Sequence, residues 1–303
     1  MTTPVGWRGP FVALAAIWGS SFLFIKVLGE SWPPLWVALG RISLGAITLL
    51  VFLAARRERL PTERRLWGHL AVCAVLFNAV PFTLFAYGET KVSSVVAGLW
   101  NATTPLWTLI VVLIALPEEH VDRRRAGGLV LGFVGVAGVL GPWRGLGGDE
   151  LVGHLACCGA AVCYGLGFPY VRRHLAGRPE SGVSLAAAQL LLAAAMLAVF
   201  TPLARAPTAD IGLDGLGSLL GLGVLGSGVA YVINYAIVRA AGATIASTVT
   251  YLIPVFSTVL GVVVLGEPLT WNEPVGAVIV IAGIAVSQGQ LRLARRAAYR
   301  AAS

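Results

Sequence analysis

Two basic residues lie inside long apolar stretches of this sequence, where a charged side chain needs a partner or has a functional role. Arg41 stands about eight residues into its stretch, which is roughly 12 Å along a helix at about 1.5 Å per residue. A guanidinium at that depth of a membrane is costly unless it faces a cavity or a partner, and it suits a carboxylate or phosphate. Pairing with backbone carbonyls, or extension of the side chain to the interface, is the structural alternative. Lys26 lies four residues before Glu30, and we expect an interfacial ion pair between them.

A second group consists of polar and aromatic residues near the middle of the apolar stretches. Such side chains line solute sites, or they join helices by hydrogen bonds. Arg41 and Gln189 are 148 residues apart, and Asn101 and Thr250 are 149 apart, as expected of equivalent positions in two copies of one repeat. A cavity lined by both copies needs such pairs. The predicted substrate-binding residues are Trp18, Ser21, Arg41, Asn78, Trp100, Asn101, Thr104, Tyr164, Gln189, Tyr231, Asn234, Thr250 and Tyr251.

Two prolines inside apolar stretches, Pro105 and Pro254, also occupy equivalent positions. A proline inside a helix removes a backbone hydrogen bond and tends to kink the helix. A pair of symmetric bends that opens one side while closing the other is one hypothesis, and a static shape for packing is the alternative. Glycines at seven-residue spacing predict close helix packing; they are Gly128, Gly135, Gly276 and Gly283.

The sequence contains no recognisable set of residues for an enzyme active site. A reaction centre needs a nucleophile with a base, two acids or a metal cluster, and neither H-E-x-x-H nor G-x-S-x-G occurs. The four histidines lie in or near the predicted loops, and the four cysteines form no C-x-x-C pair. We therefore predict no catalytic residues, no metal site and no cofactor.

The elements that must hold these residues are long apolar helices. The chain of 303 residues is 57% hydrophobic and carries only 22 basic and 14 acidic residues, about half the usual charged fraction. Continuous apolar runs favour membrane-spanning helices over the alternating strands of a barrel. The runs are 11–29, 34–54, 67–87, 93–115, 126–142, 151–171, 183–203, 216–237, 244–265 and 274–291. The net charge of +8 forms no basic face interleaved with aromatics, which argues against a nucleic-acid partner.

The basic residues predict an orientation in the membrane. Of the 22 Lys and Arg residues, 17 fall on one side of the ten predicted spans, named the Arg-rich side below. Only Lys91, Arg144 and Arg205 fall on the other, the Arg-poor side. Positive loops face the cytoplasm, so both termini are predicted to be cytoplasmic. The N-terminus lacks a basic segment and a cleavage site, which predicts that the first apolar stretch is retained.

An internal repeat becomes visible when the second half is laid on the first with an offset near 148. Trp18 and Phe22 then match Tyr164 and Phe168. Five spans per half is an odd number, so the second copy enters the membrane from the opposite side. The predicted fold class is an all-α integral membrane protein with ten transmembrane helices in two inverted five-helix repeats. The repeats are 10–145 and 146–291, and a basic cytoplasmic tail covers 292–303.

These residues resemble a known family. The signature residues are Trp18-Gly19-Ser20-Ser21-Phe22 with Lys26, Pro33 with Arg41, Pro105 with Pro254, and Leu265-Gly266-Glu267-Pro268. Over about residues 10 to 290 the chain resembles the EamA family, the ten-helix branch of the drug/metabolite transporter superfamily. Leu116-Pro117-Glu118 departs from the Leu-Gly-Glu of that family. The resemblance implies a bacterial plasma-membrane carrier, often an exporter of amino acids or other small metabolites, with its cavity between the two halves.

The predicted function is therefore secondary transport by alternating access. Amino acids come first because Arg41 suits their carboxylate; drug-like cations, sugars and nucleotide precursors stay open, and a channel is a weaker alternative. No carboxylate is predicted at mid-membrane, since Glu30, Glu89, Glu118 and Glu267 fall at span ends. This favours facilitated transport, or coupling through the charge of the substrate. The expected partners are a small-molecule substrate and the lipid bilayer, and the expected assembly is a monomer or homodimer.

Overall fold

A computed structural model describes residues 6–115, 123–141, 143, 147–175, 177–207, 211–241, 246 and 248–288. Within these ranges the chain forms helices and turns and no strand. The α-helices are α1 (Arg8–Gly29), α2 (Pro34–Arg56), α3 (Arg64–Ala74), α4 (Val80–Gly88), α5 (Ser94–Ala102), α6 (Thr104–Ala115), α7 (Arg123–Leu140), α8 (Gly148–His174), α9 (Gly182–Phe200), α10 (Gly212–Leu220), α11 (Ala230–Ala241), α12 (Ile253–Val263) and α13 (Asn272–Gln288). Glu118 and the predicted tail 292–303 lie outside the described residues.

Seven helical stretches of the described chain are long and apolar enough to cross a membrane. They are Arg8–Gly29, Pro34–Arg56, Arg64–Gly88, Ser94–Ile114, Gly148–His174, Gly182–Leu203 and Gly212–Ala241. Three shorter apolar helices cover Ala126–Val139, Val249–Val263 and Asn272–Val286. Large apolar side chains such as Ile114 and Val199 are 75% and 70% exposed, as expected of a surface that faces lipid. The predicted helical membrane protein is confirmed at this level.

The most extensive helix contacts join the first half of the chain to the second. Helix α7 packs along α13, α2 packs against α9, α4 and α6 pack against α8, and α1 packs against α12. At the α7–α13 contact a Cβ added to Gly135 would lie 2.7 Å from the carbonyl oxygen of Gly276, and one added to Gly283 would lie 2.7 Å from that of Gly128. The predicted close packing at these four glycines is confirmed, and it holds the two halves together.

Two π-helical segments occur about 148 residues apart, at Val75–Ala79 and Gly221–Val229. Each continues an α-helix, so the third and eighth apolar stretches both change register near their middle. Pro81 follows the first segment and offers no N–H to the preceding turn, which favours the wider register. The second segment contains four glycines, which tolerate close approach of α2. These irregular turns direct Asn78 and Ser227 toward the centre of the bundle.

The fourth and ninth apolar stretches are interrupted immediately before their prolines. Helix α5 ends at Ala102 and α6 begins at Thr104, one residue before Pro105. A 3-10 turn, Thr248–Tyr251, precedes α12, in which Pro254 is the second residue. A proline at the start of a helix costs no hydrogen bond. Each proline is thus the second residue of a new helical segment, and a role of these interruptions in bending stays a prediction.

Candidate functional site

A cavity of about 250 Å³ lies at the centre of the bundle, with walls from both halves of the chain. Ten of the thirteen predicted binding residues line it: Trp18, Ser21, Arg41, Asn101, Thr104, Tyr164, Gln189, Tyr231, Asn234 and Thr250. Both pairs predicted to be equivalent, Arg41 with Gln189 and Asn101 with Thr250, are among them. None of the described lining residues is acidic.

Arg41 carries the charge of this cavity. Its side chain is buried, with 7% exposed, and Nε donates to Ser227 Oγ at 3.0 Å. The guanidinium carbon lies 3.8 Å from the centroid of the Phe82 ring, a cation–π contact that partly replaces lost water. Among the described residues no carboxylate lies within 4.0 Å of the guanidinium. Its terminal nitrogens therefore remain suited to an anionic group that enters the cavity.

Asn78 joins two residues of the cavity wall, Gln189 and Tyr231, in a hydrogen-bonded network. The amide of Asn78 donates to the hydroxyl of Tyr231 at 3.1 Å, and Gln189 donates to Asn78. Trp18 donates through Nε1 to the carbonyl of Gly226 at 3.2 Å, within the second π-helical segment. Asn78 itself is fully buried and is not part of the cavity wall. It holds Gln189 and Tyr231 in place rather than facing the cavity.

Thr104 supplies an unused hydrogen-bonding group to the cavity. Its hydroxyl oxygen is buried and has no partner among the described residues. Thr104 is the first residue of α6, next to the break at Thr103. A buried hydroxyl without a partner costs about 1–3 kcal/mol, a cost that a polar ligand would remove.

Aromatic side chains make up much of the remaining wall. Phe77 packs edge-on against Phe168 at 5.2 Å between centroids, and Phe22 packs edge-on against Phe85 at 5.5 Å. The lining residues that sequence reasoning missed are mostly apolar: Phe22, Ile25, Phe77, Phe82, Phe85, Phe168, Val171, Gly226, Tyr235 and Ile253. The internal repeat contained the signal for two of them, since Trp18 with Phe22 matches Tyr164 with Phe168. All four line the cavity.

Besides Asn78, two predicted binding residues are not part of the cavity wall. Trp100 is buried, and its Nε1 donates to His154 Nδ1 at 2.9 Å. Tyr251 packs against the cluster formed by Leu106, Val280 and Ile284. His154 is also a correction: it is a buried residue within α8, not a residue near a loop. Within the described residues no cluster of His, Cys, Asp and Glu is suited to a metal ion.

On the Arg-poor side of the cavity, polar contacts join the ends of helices. Lys26 Nζ donates to the carbonyls of Glu89 at 2.6 Å and Val92 at 3.0 Å. The expected ion pair with Glu30 is therefore wrong, because the end of α1 packs against the turn between α4 and α5. These bonds lie just beyond Ile25 and Phe85, which line the cavity.

A second contact on the same side joins the two halves. Glu267, from the turn after α12, accepts bonds from Ser94 N at 2.8 Å, Ser94 Oγ at 2.8 Å and Val95 N at 3.2 Å. The carboxylate thus satisfies free amides at the start of α5, where the helix dipole favours negative charge. A Cβ added to Gly261 would lie 2.7 Å from Glu267 Oε2, so the glycine leaves room for this contact.

Apolar helices long enough to cross a membrane, packed around a central cavity whose described wall carries the buried cation Arg41, are typical of integral membrane proteins that accommodate a small solute. The model of the EamA-like transporter family matches residues 10–141 and 151–288. The chain belongs to this family, which confirms the resemblance predicted from its residues. Its class is therefore that of membrane transporters and not of enzymes.

Individual relatives extend over nearly the whole chain. The uncharacterized inner membrane transporter YedA of Escherichia coli (strain K12) is 30% identical over 291 residues, which cover 93% of this chain and 90% of YedA. The uncharacterized transporter YoaV of Bacillus subtilis (strain 168) is 25% identical over 275 residues, 90% of this chain and 93% of YoaV. One solved crystal structure, 21% identical, superposes with a TM-score of 0.64 over 93% of this chain and 98% of its own. That similarity shows a shared fold.

Proposed function

We propose that this protein is a secondary transporter of the bacterial plasma membrane that exports small metabolites, first among them amino acids. The supporting observation is Arg41: a buried cation in the wall of a central cavity, with no carboxylate within ion-pair distance among the described residues. A carboxylate on the substrate would complete a charge-assisted pair with it. The aromatic walls at Phe77 and Phe168 suit the apolar part of such a molecule.

The proposed architecture has ten membrane spans in two inverted repeats, 10–145 and 146–291, with both termini in the cytoplasm. The two family matches, one in each half, support this division. So do the paired π-helical segments and the paired helix breaks before Pro105 and Pro254. The substrate moves by alternating access, with the breaks at these two prolines as the proposed points of bending.

The cavity argues against one alternative substrate class. An organic cation would meet the charge of Arg41 and no described carboxylate on the wall. The desolvation of two like charges in one small cavity is unfavourable. A phosphorylated nucleotide precursor is chemically compatible with Arg41 and is the second candidate.

The test is a thermal-shift screen of the detergent-purified protein against a metabolite library, followed by reconstitution and counterflow with each hit. We expect carboxylates to raise the melting temperature of the wild type and not that of Arg41→Ala. Arg56→Ala is the matched control, since Arg56 ends the same helix and contacts Phe52 outside the cavity. Hits that are all cations, or carboxylate hits that survive in Arg41→Ala, would refute the proposal.

A further inference from the structure

Glu89, the residue that follows α4, is a buried acid that the transport site does not use. The residue is only 2% exposed, and neither carboxylate oxygen has a hydrogen-bond partner among the described residues. Charged carboxylates inside proteins are paired or hydrogen-bonded, because an isolated buried charge is very costly. The surroundings of Glu89 therefore fit a neutral, protonated carboxyl group.

Titratable and charged groups on α1, α2, α8 and the turn after α12 influence the carboxyl group of Glu89. Lys26 on α1 and Arg41 on α2 favour the charged form, whereas Glu267 from the turn after α12 disfavours it. Cys157 on α8 also lies close enough to interact with Glu89. Burial is the largest influence and raises the pKa of Glu89 well above its usual range, although Lys26 opposes this shift.

Lys26 and Glu89 stand immediately outside the cavity. Ile25 precedes Lys26, and Phe85 lies one helical turn before Glu89; both line the cavity wall. The ammonium of Lys26 is held by the backbone carbonyls of Glu89 and Val92, and no carboxylate in the described part of the chain forms an ion pair with it. A change of charge at Glu89 thus acts on the contact that joins α1 to the α4–α5 turn beside the cavity.

We propose that Glu89 is the proton-binding group of this transporter, and that its proton is exchanged as the Arg-poor end of the cavity opens and closes. The proposal rests on the proposed transport function and goes beyond it by adding a coupling ion. In the closed arrangement the proton stays on the carboxyl group, and Lys26 stays on the two carbonyls. Release of the proton to water on the Arg-poor side leaves a buried carboxylate, which draws the ammonium of Lys26 away from those carbonyls. The contact between α1 and the α4–α5 turn is then broken, and the cavity opens on that side.

The first experiment measures the proton directly, without a substrate. The infrared carbonyl band of protonated carboxyl groups is followed against pH in the purified wild type and in Glu89→Gln. We expect one band that titrates well above the range of about 4 to 5 usual for glutamate, absent from Glu89→Gln. Glu30→Gln is the matched control, because Glu30 is an exposed glutamate at the end of α1, and it retains the band. Lys26→Met moves the midpoint to higher pH, since a charge that favours the carboxylate is removed.

Other infrared results would overturn the proposal. These are an ordinary titration of every carboxyl group in the wild type, or persistence of the high-pH band in Glu89→Gln. Where Glu89→Gln does not fold, Glu89→Asp takes its place. A displaced midpoint then supports the assignment to Glu89, and an unchanged midpoint overturns it.

The second experiment tests coupling in proteoliposomes with an equimolar mixture of radiolabelled L-amino acids as the probe. We expect accumulation driven by a pH gradient in the wild type and in Glu30→Gln, and counterflow without gradient-driven accumulation in Glu89→Gln. Counterflow in the wild type without any accumulation driven by the pH gradient would overturn the role of Glu89 in coupling. If no amino acid is taken up but the infrared band titrates at high pH as expected, the amino-acid substrate class is contradicted and Glu89 is still supported as the proton site.

Discussion

Replacement of Glu267 by glutamine tests whether its contact with α5 keeps the cavity closed on the Arg-poor side. The carboxylate accepts three hydrogen bonds from Ser94 and Val95, which are both fully buried. Hydrogen bonds to a charged group contribute about 1.5–3 kcal/mol each. Glutamine keeps the shape and one acceptor oxygen, but it turns an NH₂ group toward N–H or O–H donors. We therefore expect a loss of about 3 kcal/mol from the closed arrangement, or about 150-fold in the equilibrium between closed and open forms.

The assay follows a cysteine introduced by Ile25→Cys in a variant free of the four native cysteines. Ile25 lines the Arg-poor end of the cavity and is 3% exposed, so a bulky, charged maleimide reaches it only when that end opens. We expect labelling to accelerate by one to two orders of magnitude when Glu267→Gln is added. Glu30→Gln should leave the labelling rate unchanged, because the exposed carboxylate of Glu30 is no part of this contact.

Two results would refute this reasoning in different ways. An unchanged labelling rate with a lower melting temperature would mean that Glu267 stabilises the fold without controlling access to the cavity. No change in either quantity would mean that the three hydrogen bonds contribute no net stability.

Three further predictions concern stability. Gly135→Ala places a methyl group 2.5 Å from a backbone nitrogen of α13 and should lower the melting temperature by the equivalent of about 1–3 kcal/mol. Gly127→Ala is the control and should be neutral or stabilising, because a Cβ added there meets nothing within 4 Å. Equal effects of the two substitutions would contradict the close packing of α7 and α13. The raised pKa of Glu89 means that the folded state binds a proton more tightly than the unfolded state, so this contribution to stability is present at low pH and is lost as pH rises through the folded pKa. The melting temperature of the wild type should accordingly fall relative to Glu89→Gln as pH rises in a thermal denaturation series, and a constant difference would argue against the shift. Trp100→Phe leaves His154 without its hydrogen-bond donor and should lower the free energy of unfolding by about 1–2 kcal/mol, with ligand-induced thermal shifts unchanged. A selective loss of those thermal shifts would indicate that Trp100 is part of the binding site.

Ten of the twenty residues that line the cavity could be predicted, because polar residues in apolar stretches need a cavity or a partner. This reasoning predicted Arg41, Gln189, Asn101 and Thr250, all of which line the cavity. It did not separate Asn78 or Trp100 from them, because a polar side chain satisfied by another helix looks the same in sequence as one that faces a cavity. Phenylalanines such as Phe77 were missed for the converse reason: an apolar residue in an apolar stretch carries no signal of which face it lies on.

The amino-acid sequence by itself determined the class of this protein. Its scarcity of charge, long apolar runs and signature residues are those of an α-helical membrane transporter of the EamA family. These properties depend on composition and local pattern, since each apolar run satisfies its own backbone hydrogen bonds as a helix. Close packing at the glycines of α7 and α13 was predictable for the same reason, because their seven-residue spacing places them on one helix face.

Only the tertiary structure decided which charges meet. Lys26 is four residues from Glu30, yet its ammonium is bound by carbonyls more than 60 residues away. Glu89 and Glu267 both fall at the ends of apolar stretches. The carboxyl group of Glu89 is buried with no hydrogen-bond partner among the described residues, whereas that of Glu267 binds the start of α5. The difference arises because desolvation and pairing depend on the neighbours that helix packing supplies from distant parts of the chain, and sequence spacing along one helix does not contain them.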